Sequence, residues 1–356
     1  MVTTIAPPLE DKLDLLVRSE DPLNCETSLS SLAGRAVVPN AKFYIRNHFH
    51  IPSIDSDRWC LRLVGLVRQP LRLRLSDLLE MPSKTMVVTL ECAGNGRSFL
   101  SPSVDGEQWG LGAVGTAEWT GVPLAEVLRR AGVDATATEI VLRGADSPAS
   151  GLSGGQRRFE RSLKVTDAQQ IPVLLAYAMN GEPLPQAHGF PLRAIVPGRY
   201  AVNSVKWLDE IELTRIPFKG YFQTDRYVYE WKRDGDVVTE PVGNLRVRAL
   251  ITSPLDGQTV EAGHLAVSGV AWSGIAPIAR VDVTVDDGPW RRARMLDRPS
   301  RYGWQKWELT TRVKSGEISI RARATDRLGN TQPVRAEWNR LGYGNNAIQK
   351  TTVRAV

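Results

Sequence analysis

The chain has 356 residues, enough for two domains, and its hydrophobic (42%) and charged (24%) fractions are ordinary for a globular protein. No apolar run reaches ~18 residues, which argues against a membrane-spanning helix, and the N-terminal sequence lacks the basic and apolar regions of a signal peptide. We therefore expect no membrane partner and a cytoplasmic location.

Cysteine usage and charge argue against several further classes. The three cysteines, Cys25, Cys60 and Cys92, include no CxxC pair, which argues against a disulfide framework, a zinc site and an iron–sulfur cluster. The net charge of +6 invites a nucleic-acid interpretation, but the basic residues are dispersed and no DNA-binding motif accompanies them. We expect no nucleic-acid partner, and a mild positive excess also suits a small anion.

The first 245 residues contain two regions of different character. Residues 1–40 are polar with little periodicity and are predicted to form an extended N-terminal arm. Within residues 41–245, a helix is predicted at 124–132, and a shorter helix near Leu75 with Ser76 as its cap. These helices alternate with strand-like segments at 59–67, 86–90, 139–142 and 192–196. Frequent proline and glycine argue against a doubly wound sheet, so the pattern predicts a mixed α+β domain.

The pattern changes after residue 245. Short strands with period-2 alternation, separated by turn dipeptides such as Asp-Gly, recur without any helical segment. About seven strands in roughly 95 residues predict an immunoglobulin-like sandwich over residues 246–356, without the inter-sheet disulfide. The predicted fold class is therefore α+β, with an all-β sandwich as the second domain.

The sequence VTLECAGNGRS, residues 88–98, places Cys92 at a strand end on a glycine-rich turn. A free cysteine is usually a small buried hydrophobic residue. Here the glycines let the backbone approach a ligand, and Arg97 favours the thiolate. A lone thiolate, a soft donor, suits a transition metal whose other ligands arrive with a cofactor.

Three other segments place hydrogen-bond donors beside turns: KFYIRNH (42–48), HGFPLRAIVPG (188–198) and NSVKWL (203–208). Their donors are Arg46, Asn47, His48, His188, Arg193 and Lys206. We expect them to converge on one anionic ligand. A phosphate attached to a pterin ring meets that need, because arginine binds phosphate through two hydrogen bonds and pterin edges need several partners.

The motifs RNH, ECAGNGR, HGFPLR and SVKWL, in this order and spacing, resemble the sulfite oxidase family of molybdenum-cofactor enzymes, bacterial type without a haem domain. The resemblance covers the chain from about residue 40 onward. It implies a molybdenum–molybdopterin-binding oxidoreductase domain at 41–245 and an immunoglobulin-like dimerisation domain at 246–356, and therefore a homodimer.

The resemblance also implies residue roles. Cys92 corresponds to the thiolate ligand of molybdenum. Arg46, Arg97, Trp109 and Tyr227 correspond to the anion pocket, and Lys350 stands nearest to a further pocket arginine of the animal enzymes. Arg161 and Ser162 resemble a stretch of bacterial relatives. The implied cofactor contacts are Tyr44, Ile45, Arg46, Asn47, His48, Asp146, Ser162, His188, Arg193, Ser204, Val205 and Lys206.

The implied reaction is oxidation of a small anionic substrate, sulfite, to sulfate. Because the chain contains no haem or flavin domain, the electrons are expected to pass to a separate acceptor: a cytochrome, another carrier or oxygen. Two alternatives remain open. One is a related molybdenum enzyme that acts on another oxyanion or sulfur compound, for example by reducing nitrate. The other is a basic nucleic-acid-binding or scaffold protein without cofactor.

Overall fold

The first domain is built from short strands and shorter helices. The computed structural model describes residues 15–148, 158–233 and 236–356. Strands up to residue 241 are β1 (Leu15–Glu20), β2 (Leu23–Thr27), β3 (Cys60–Gly65), β4 (Leu71–Arg74), β5 (Lys84–Glu91), β6 (Val114–Pro123), β7 (Glu139–Gly144), β8 (Glu160–Lys164), β9 (Leu174–Met179), β10 (Glu182–Pro183), β11 (Arg193–Ile195), β12 (Leu208–Thr214), β13 (Val228–Arg233) and β14 (Asp236–Pro241). The α-helices are α1 (Leu29–Leu32), α2 (Leu75–Leu79), α3 (Leu124–Ala131), α4 (Val165–Gln170) and α5 (Tyr221–Thr224).

Two five-stranded sheets form the centre of this domain. One has the order β10–β9–β6–β5, with β11 also pairing with β9. The other has the order β4–β3–β12–β7–β8, in which β12 runs parallel to β3 and antiparallel to β7. The first sheet is antiparallel throughout and the second is mixed, and helices shorter than nine residues pack against both. The α+β prediction is confirmed.

Local chemistry explains how the predicted helices begin and end. α3 ends at Gly132, whose φ of +67° lies in the left-handed region that glycine adopts readily. α2 starts where predicted, but Ser76 is not its cap. The N-cap residue is Arg74. The Asp77 carboxylate, in the first turn of α2, accepts a hydrogen bond from the Arg74 backbone N–H at 2.7 Å.

The second domain is a two-sheet β-sandwich, as predicted. Its strands are β15 (Arg248–Ser253), β16 (Thr259–Val260), β17 (Gly263–Trp272), β18 (Ile278–Val285), β19 (Arg291–Arg292), β20 (Arg294–Met295), β21 (Gln305–Val313), β22 (Gly316–Asp326) and β23 (Lys350–Ala355). The sheets have the orders β15–β17–β21–β20 and β16–β23–β22–β18–β19. Alternate residues such as Val281 and Ile320 point into a shared apolar core.

The N-terminal segment differs from the extended arm expected from sequence. β1 and β2 form an antiparallel hairpin, and α1 follows it. Cys25 and Ile45 exchange backbone hydrogen bonds of 2.9 and 2.8 Å, so the hairpin is tied to the segment that carries Arg46. The sequence shows little hydrophobic periodicity here because a two-stranded hairpin that contacts the domain along one edge needs few alternating apolar residues. The prediction of an extended arm relied on that low periodicity. Residues 1–14 lie outside the described residues.

The two domains share a buried junction. Trp272 and Tyr343 of the sandwich domain belong to the same apolar cluster as Val88 and Leu90 of β5. The predicted boundary at 245/246 falls between β14 and β15. In the part of the chain that the structure describes, no helix combines the length and apolar character needed to cross a membrane.

Candidate active site

Cys92 lies at the carboxyl end of β5, on a tight turn. Its backbone N–H donates to the Ala113 carbonyl at 2.9 Å, and its carbonyl accepts from Asn95 N–H at 2.9 Å. Gly96 closes the turn with a φ of +83°. The thiol is buried, which raises the pKa of Cys92, and the nearby Arg46 guanidinium opposes that shift. A positively charged partner therefore stands ready to favour the thiolate.

A cavity opens beside this thiol and encloses about 650 Å³ of space between protein atoms, a volume that includes part of the solvent outside its mouth. It is formed by segments far apart in sequence, as expected for a site assembled by the fold. Its lining is Phe43, Tyr44, Arg46, Asn47, His48, Leu90, Cys92, Ala93, Asp146, Phe159, His188, Arg193, Ala201, Val202, Ser204, Lys206, Trp207 and Tyr227.

Arg46 and Asn47 are held in the cavity wall by the N-terminal hairpin. The Asn24 carboxamide oxygen accepts from the Asn47 backbone N–H at 2.7 Å and from Arg46 Nη1 at 3.3 Å. Arg46 also donates to the Asn47 carbonyl. Burial acts to lower the pKa of Arg46, but Tyr227 and Cys92 outweigh it, and the net shift is upward. The guanidinium therefore keeps its charge in the cavity.

His48 and Tyr227 form a hydrogen-bonded pair in the same wall. The Tyr227 hydroxyl lies 2.6 Å from His48 Nε2, and the His48 ring stacks on Phe159 with centroids 4.7 Å apart. Burial and then Arg46 lower the pKa of His48 well below its usual value, while burial raises the pKa of Tyr227. We expect a neutral imidazole and a neutral phenol, with one proton shared between oxygen and nitrogen.

Two further basic side chains, Arg193 and Lys206, line the same cavity. Arg193 donates to the His188 carbonyl at 2.9 Å and to the Ser204 carbonyl at 3.1 Å. Lys206 donates to the Asn47 carboxamide and to a backbone carbonyl. Burial, and then Arg193, lower the pKa of Lys206, while burial lowers the pKa of His188 to about 3. Clustered buried cations destabilise one another, so this wall is suited to an anion.

Two cavity-lining groups have unused hydrogen-bonding capacity. The Arg193 Nε atom and one carboxylate oxygen of Asp146 are buried and have no partner among the described residues. Burial raises the pKa of Asp146, and Lys206 opposes the shift. Buried polar atoms without partners are rare in native proteins and often await a ligand or water. Both atoms are therefore available to a bound group.

Comparison with known proteins identifies the family of the chain. The sequence profile described as "Oxidoreductase molybdopterin binding domain" matches residues 48–222, and that described as "Mo-co oxidoreductase dimerisation domain" matches residues 239–355. The chain is 32% identical over 369 residues to sulfite oxidase of Arabidopsis thaliana, which covers 96% of this chain and 94% of that protein. The chain belongs to the sulfite oxidase family. Its cofactor is accordingly the molybdenum–molybdopterin group.

Two further similarities refine the comparison. Mitochondrial sulfite oxidase of Homo sapiens is 36% identical over 363 residues, and the chain spans 65% of that longer protein. The solved structure of the sulfane dehydrogenase SoxCD from Paracoccus pantotrophus superposes with a TM-score of 0.84 at 29% identity, over 95% of this chain and 86% of that chain.

The cavity residues fit the sulfite oxidase family's cofactor. A soft sulfur donor at Cys92 suits molybdenum. Arg193 and Lys206 offer positive charge and donors for a phosphate, and His188 offers a neutral imidazole beside them. The free carboxylate oxygen of Asp146 is an acceptor, which the amino and ring N–H edges of a pterin need. The apolar lining includes Phe43, Phe159 and Trp207, which suit a flat ring.

Of the residues predicted from sequence, eleven line this one cavity. They are Tyr44, Arg46, Asn47, His48, Cys92, Asp146, His188, Arg193, Ser204, Lys206 and Tyr227. Four motifs, of which the first begins at Arg46 and the last ends at Leu208, are therefore brought together. The individual roles in binding and catalysis stay predictions.

Four other predicted residues do not line the cavity. The side chain of Ile45 packs with Cys25 and Ala187, and Val205 is fully buried in the main core. Trp109 is also fully buried, and its indole N–H has no partner among the described residues. Ser162 lies on β8, where its backbone N–H donates to Gln223 at 3.3 Å. Their side chains are not among those that line the cavity.

Arg97 and Arg161 are buried but held by backbone carbonyls. Arg97 donates to Glu107 O at 2.8 Å and to Leu341 O at 3.1 Å. A Cβ at Gly94 would lie only 2.7 Å from this guanidinium, which explains the glycine. Arg161 donates to a carbonyl of α5, to Asn203 and to a carbonyl at the end of β14. Neither side chain lines the cavity.

Lys350 is not at the predicted site. It begins β23, its side chain is exposed, and it borders a different hollow at the domain junction. The register of β23, which pairs Lys350 with Arg321 of β22, turns the ammonium outward. Lys350 is the basic residue that aligns nearest to the pocket arginine of the animal enzymes, but its side chain does not reach the cavity.

Sequence reasoning missed Asn24 and Tyr343, which contact the site from outside the recognised motifs. Asn24 is separated from Arg46 by 22 positions and has no local signal. Tyr343 stacks on Tyr227, and its position between Gly342 and Gly344 was a readable sign of a tight, functional turn.

Proposed function

We propose that the protein oxidises sulfite to sulfate at a molybdenum centre and passes two electrons to a separate acceptor. The balanced half-reaction consumes sulfite and water and releases sulfate, two protons and two electrons. The observation that carries the proposal is the buried thiol of Cys92, which opens into the same cavity as Arg46 and the His48–Tyr227 pair. The sulfite oxidases of plants and animals similar to this chain support the same substrate.

In this proposal the chain binds the cofactor and orients the anion. Cys92 would hold the metal, Arg193 and Lys206 would neutralise the phosphate of the pterin, and the neutral His188 would serve as a hydrogen-bonding partner. When bound, the cofactor supplies two-electron redox chemistry coupled to oxygen-atom transfer. Arg46 attracts and orients the sulfite oxyanion, and it is already fixed by Asn24 before the substrate arrives. A preorganised cation needs no reorganisation during the reaction.

The deciding experiment combines metal analysis with substrate choice. We expect the purified protein to contain about one molybdenum per chain and to oxidise sulfite with an artificial acceptor. SoxCD supports a second candidate, oxidation of a sulfane sulfur compound, so thiosulfate is tested with the same acceptor, and nitrate is tested separately with a reduced dye as electron donor. A molybdenum-loaded protein that is inactive with sulfite but active with thiosulfate or nitrate contradicts the proposal.

We infer that the chain forms a homodimer through the sandwich domain, which the dimerisation profile at residues 239–355 supports. Multi-angle light scattering is expected to give about twice the chain mass at micromolar concentration. Removal of residues 246–356 is expected to give monomers or insoluble protein. A monomeric full-length chain contradicts the inference.

The electron acceptor (a cytochrome, another carrier or oxygen) and the cytoplasmic location stay proposals. Activity assays with different acceptors test the first, and cell fractionation tests the second.

Replacing Arg46 with glutamine is expected to raise KM and lower kcat/KM for sulfite about 10- to 150-fold. One charge-assisted hydrogen bond contributes roughly 1.5–3 kcal/mol, and this one is made to the reacting anion. Lys350→Ala is the matched control, because it removes one positive charge at an exposed position away from the cavity. Steady-state kinetics at low and moderate salt compare both. A larger loss in Lys350→Ala than in Arg46→Gln contradicts the placement of the anion pocket.

A further inference from the structure

Tyr343 belongs to the sandwich domain but packs against the candidate active site. It is buried on the segment between β22 and β23. Its ring stacks on the Tyr227 ring, with centroids 4.7 Å apart and an interplanar angle of 16°. The Arg97 guanidinium carbon lies 5.2 Å from the Tyr343 ring centroid. One ring therefore contacts both a cavity-lining phenol and the buried cation beside the cysteine turn.

The backbone around Tyr343 is firmly fixed. The Asn339 carboxamide accepts from Tyr343 N–H at 2.9 Å and donates to Tyr343 O at 2.8 Å. Gly344 N–H donates to Ala93 O at 2.8 Å, one residue after Cys92. Gly342 has a φ of +65°, and a Cβ there would lie 2.9 Å from Arg97 Nε. The turn is thus shaped to bring the Tyr343 ring close to the site.

Tyr227 needs such external support. Its φ is +51°, in the left-handed region that a bulky residue adopts only when its surroundings hold it. Its carbonyl accepts from Val242 N–H at 2.7 Å, and its hydroxyl is bonded to His48. The stack on Tyr343 is the only near-parallel ring contact of Tyr227 among the described residues. Removing Tyr343 leaves one face of the phenol without its packing partner.

We propose that Tyr343 is a positioning residue through which the sandwich domain completes the anion pocket. Its ring holds the Tyr227 phenol against the cavity and keeps the Arg97 guanidinium beside the cysteine turn. The ring carries this role and the hydroxyl does not, because stacking and the cation–π contact both use the aromatic face. The inference rests on the proposed function for its substrate, an oxyanion of sulfur.

The test compares Tyr343→Leu and Tyr343→Phe in molybdenum-loaded enzyme. We expect Tyr343→Leu to raise the sulfite KM and the sulfate dissociation constant about 5- to 30-fold, as loss of one aromatic stack and one cation–π contact implies, with kcat within about 3-fold. Tyr343→Phe is expected to stay within about 2-fold of the unmodified protein. Tyr302→Leu is the control, because Arg301 lies over that ring at 4.8 Å away from the cavity lining.

Sulfate binding by calorimetry separates this inference from the proposed function. One outcome is that the unmodified protein does not oxidise sulfite, but Tyr343→Leu binds sulfate more weakly than the unmodified protein does. That outcome contradicts the proposed reaction and supports the positioning role of Tyr343. Unchanged sulfate affinity in Tyr343→Leu, or equal damage in Tyr343→Phe, overturns it. A crystal structure of Tyr343→Leu with the Tyr227 ring unmoved also overturns it, whatever the substrate. If the leucine variant does not load molybdenum, Tyr343→Met, closer in length, takes its place.

Discussion

Replacing Cys92 with serine is expected to reduce sulfite oxidation to background while the chain remains folded. A serine hydroxyl is a harder and far less acidic ligand than a thiol, so it cannot supply the same electron-rich sulfur to molybdenum. The substitution is small, and the turn is held by backbone hydrogen bonds that serine retains. Circular dichroism reports folding, metal analysis reports loading, and sulfite assays report turnover.

Cys60→Ser is the matched control for this experiment. Cys60 is half-buried on β3, its sulfur lies 3.1 Å from Arg72 Nε, and it does not line the cavity. We expect this variant to keep molybdenum content and activity close to those of the unmodified protein. Near-normal turnover in Cys92→Ser, or equal loss in both variants, contradicts the assignment of Cys92 as the metal ligand.

The sequence predicted the convergence of the motifs better than their detailed roles. Cys92, Arg46 and Lys206 could be placed together because they lie in the motifs ECAGNGR, RNH and SVKWL, whose order and spacing resemble one family's set. The sandwich followed from the period-2 alternation of its strands, and the mixed domain followed from strand-like segments that alternate with helices among frequent prolines and glycines.

The remaining features depend on contacts that have no local signature. Asn24 orients Arg46 only because the N-terminal hairpin folds back onto residues 45–47. Lys350 was chosen by its position in the tail, but side-chain direction in a strand changes with every residue, so a shift of one position in register reverses it. Arg97 lies in the cysteine motif and was predicted to bind the anion, but its guanidinium donates hydrogen bonds to two backbone carbonyls. The positions of these three side chains depend on contacts between segments that are distant in sequence.

A buried ion pair joins the two domains directly beside the cysteine turn. Glu91 precedes Cys92 and accepts from Arg248 Nη1 at 2.7 Å, from Asn95 Nδ2 at 3.0 Å and from Trp272 Nε1 at 2.9 Å. The side chains of Glu91 and Arg248 are only 2% and 3% exposed. The sandwich domain thus fixes the residue next to the thiol with two of the three donors.

Replacing Arg248 with methionine is expected to lower the free energy of unfolding by about 3–5 kcal/mol, because the Glu91 carboxylate is then left charged and buried without its cation. Urea unfolding of molybdenum-loaded protein measures this loss. Arg294→Met is the control: its partner Glu308 lies on the exposed face of the sandwich, where an ion pair contributes at most about 1 kcal/mol. Adding Glu91→Gln to Arg248→Met is expected to recover part of the loss, since a neutral amide needs no counter-charge and still accepts from Trp272. Equal losses in Arg248→Met and Arg294→Met, or no recovery in the double variant, would mean that packing around Trp272 and not the ion pair holds the cysteine turn against the sandwich.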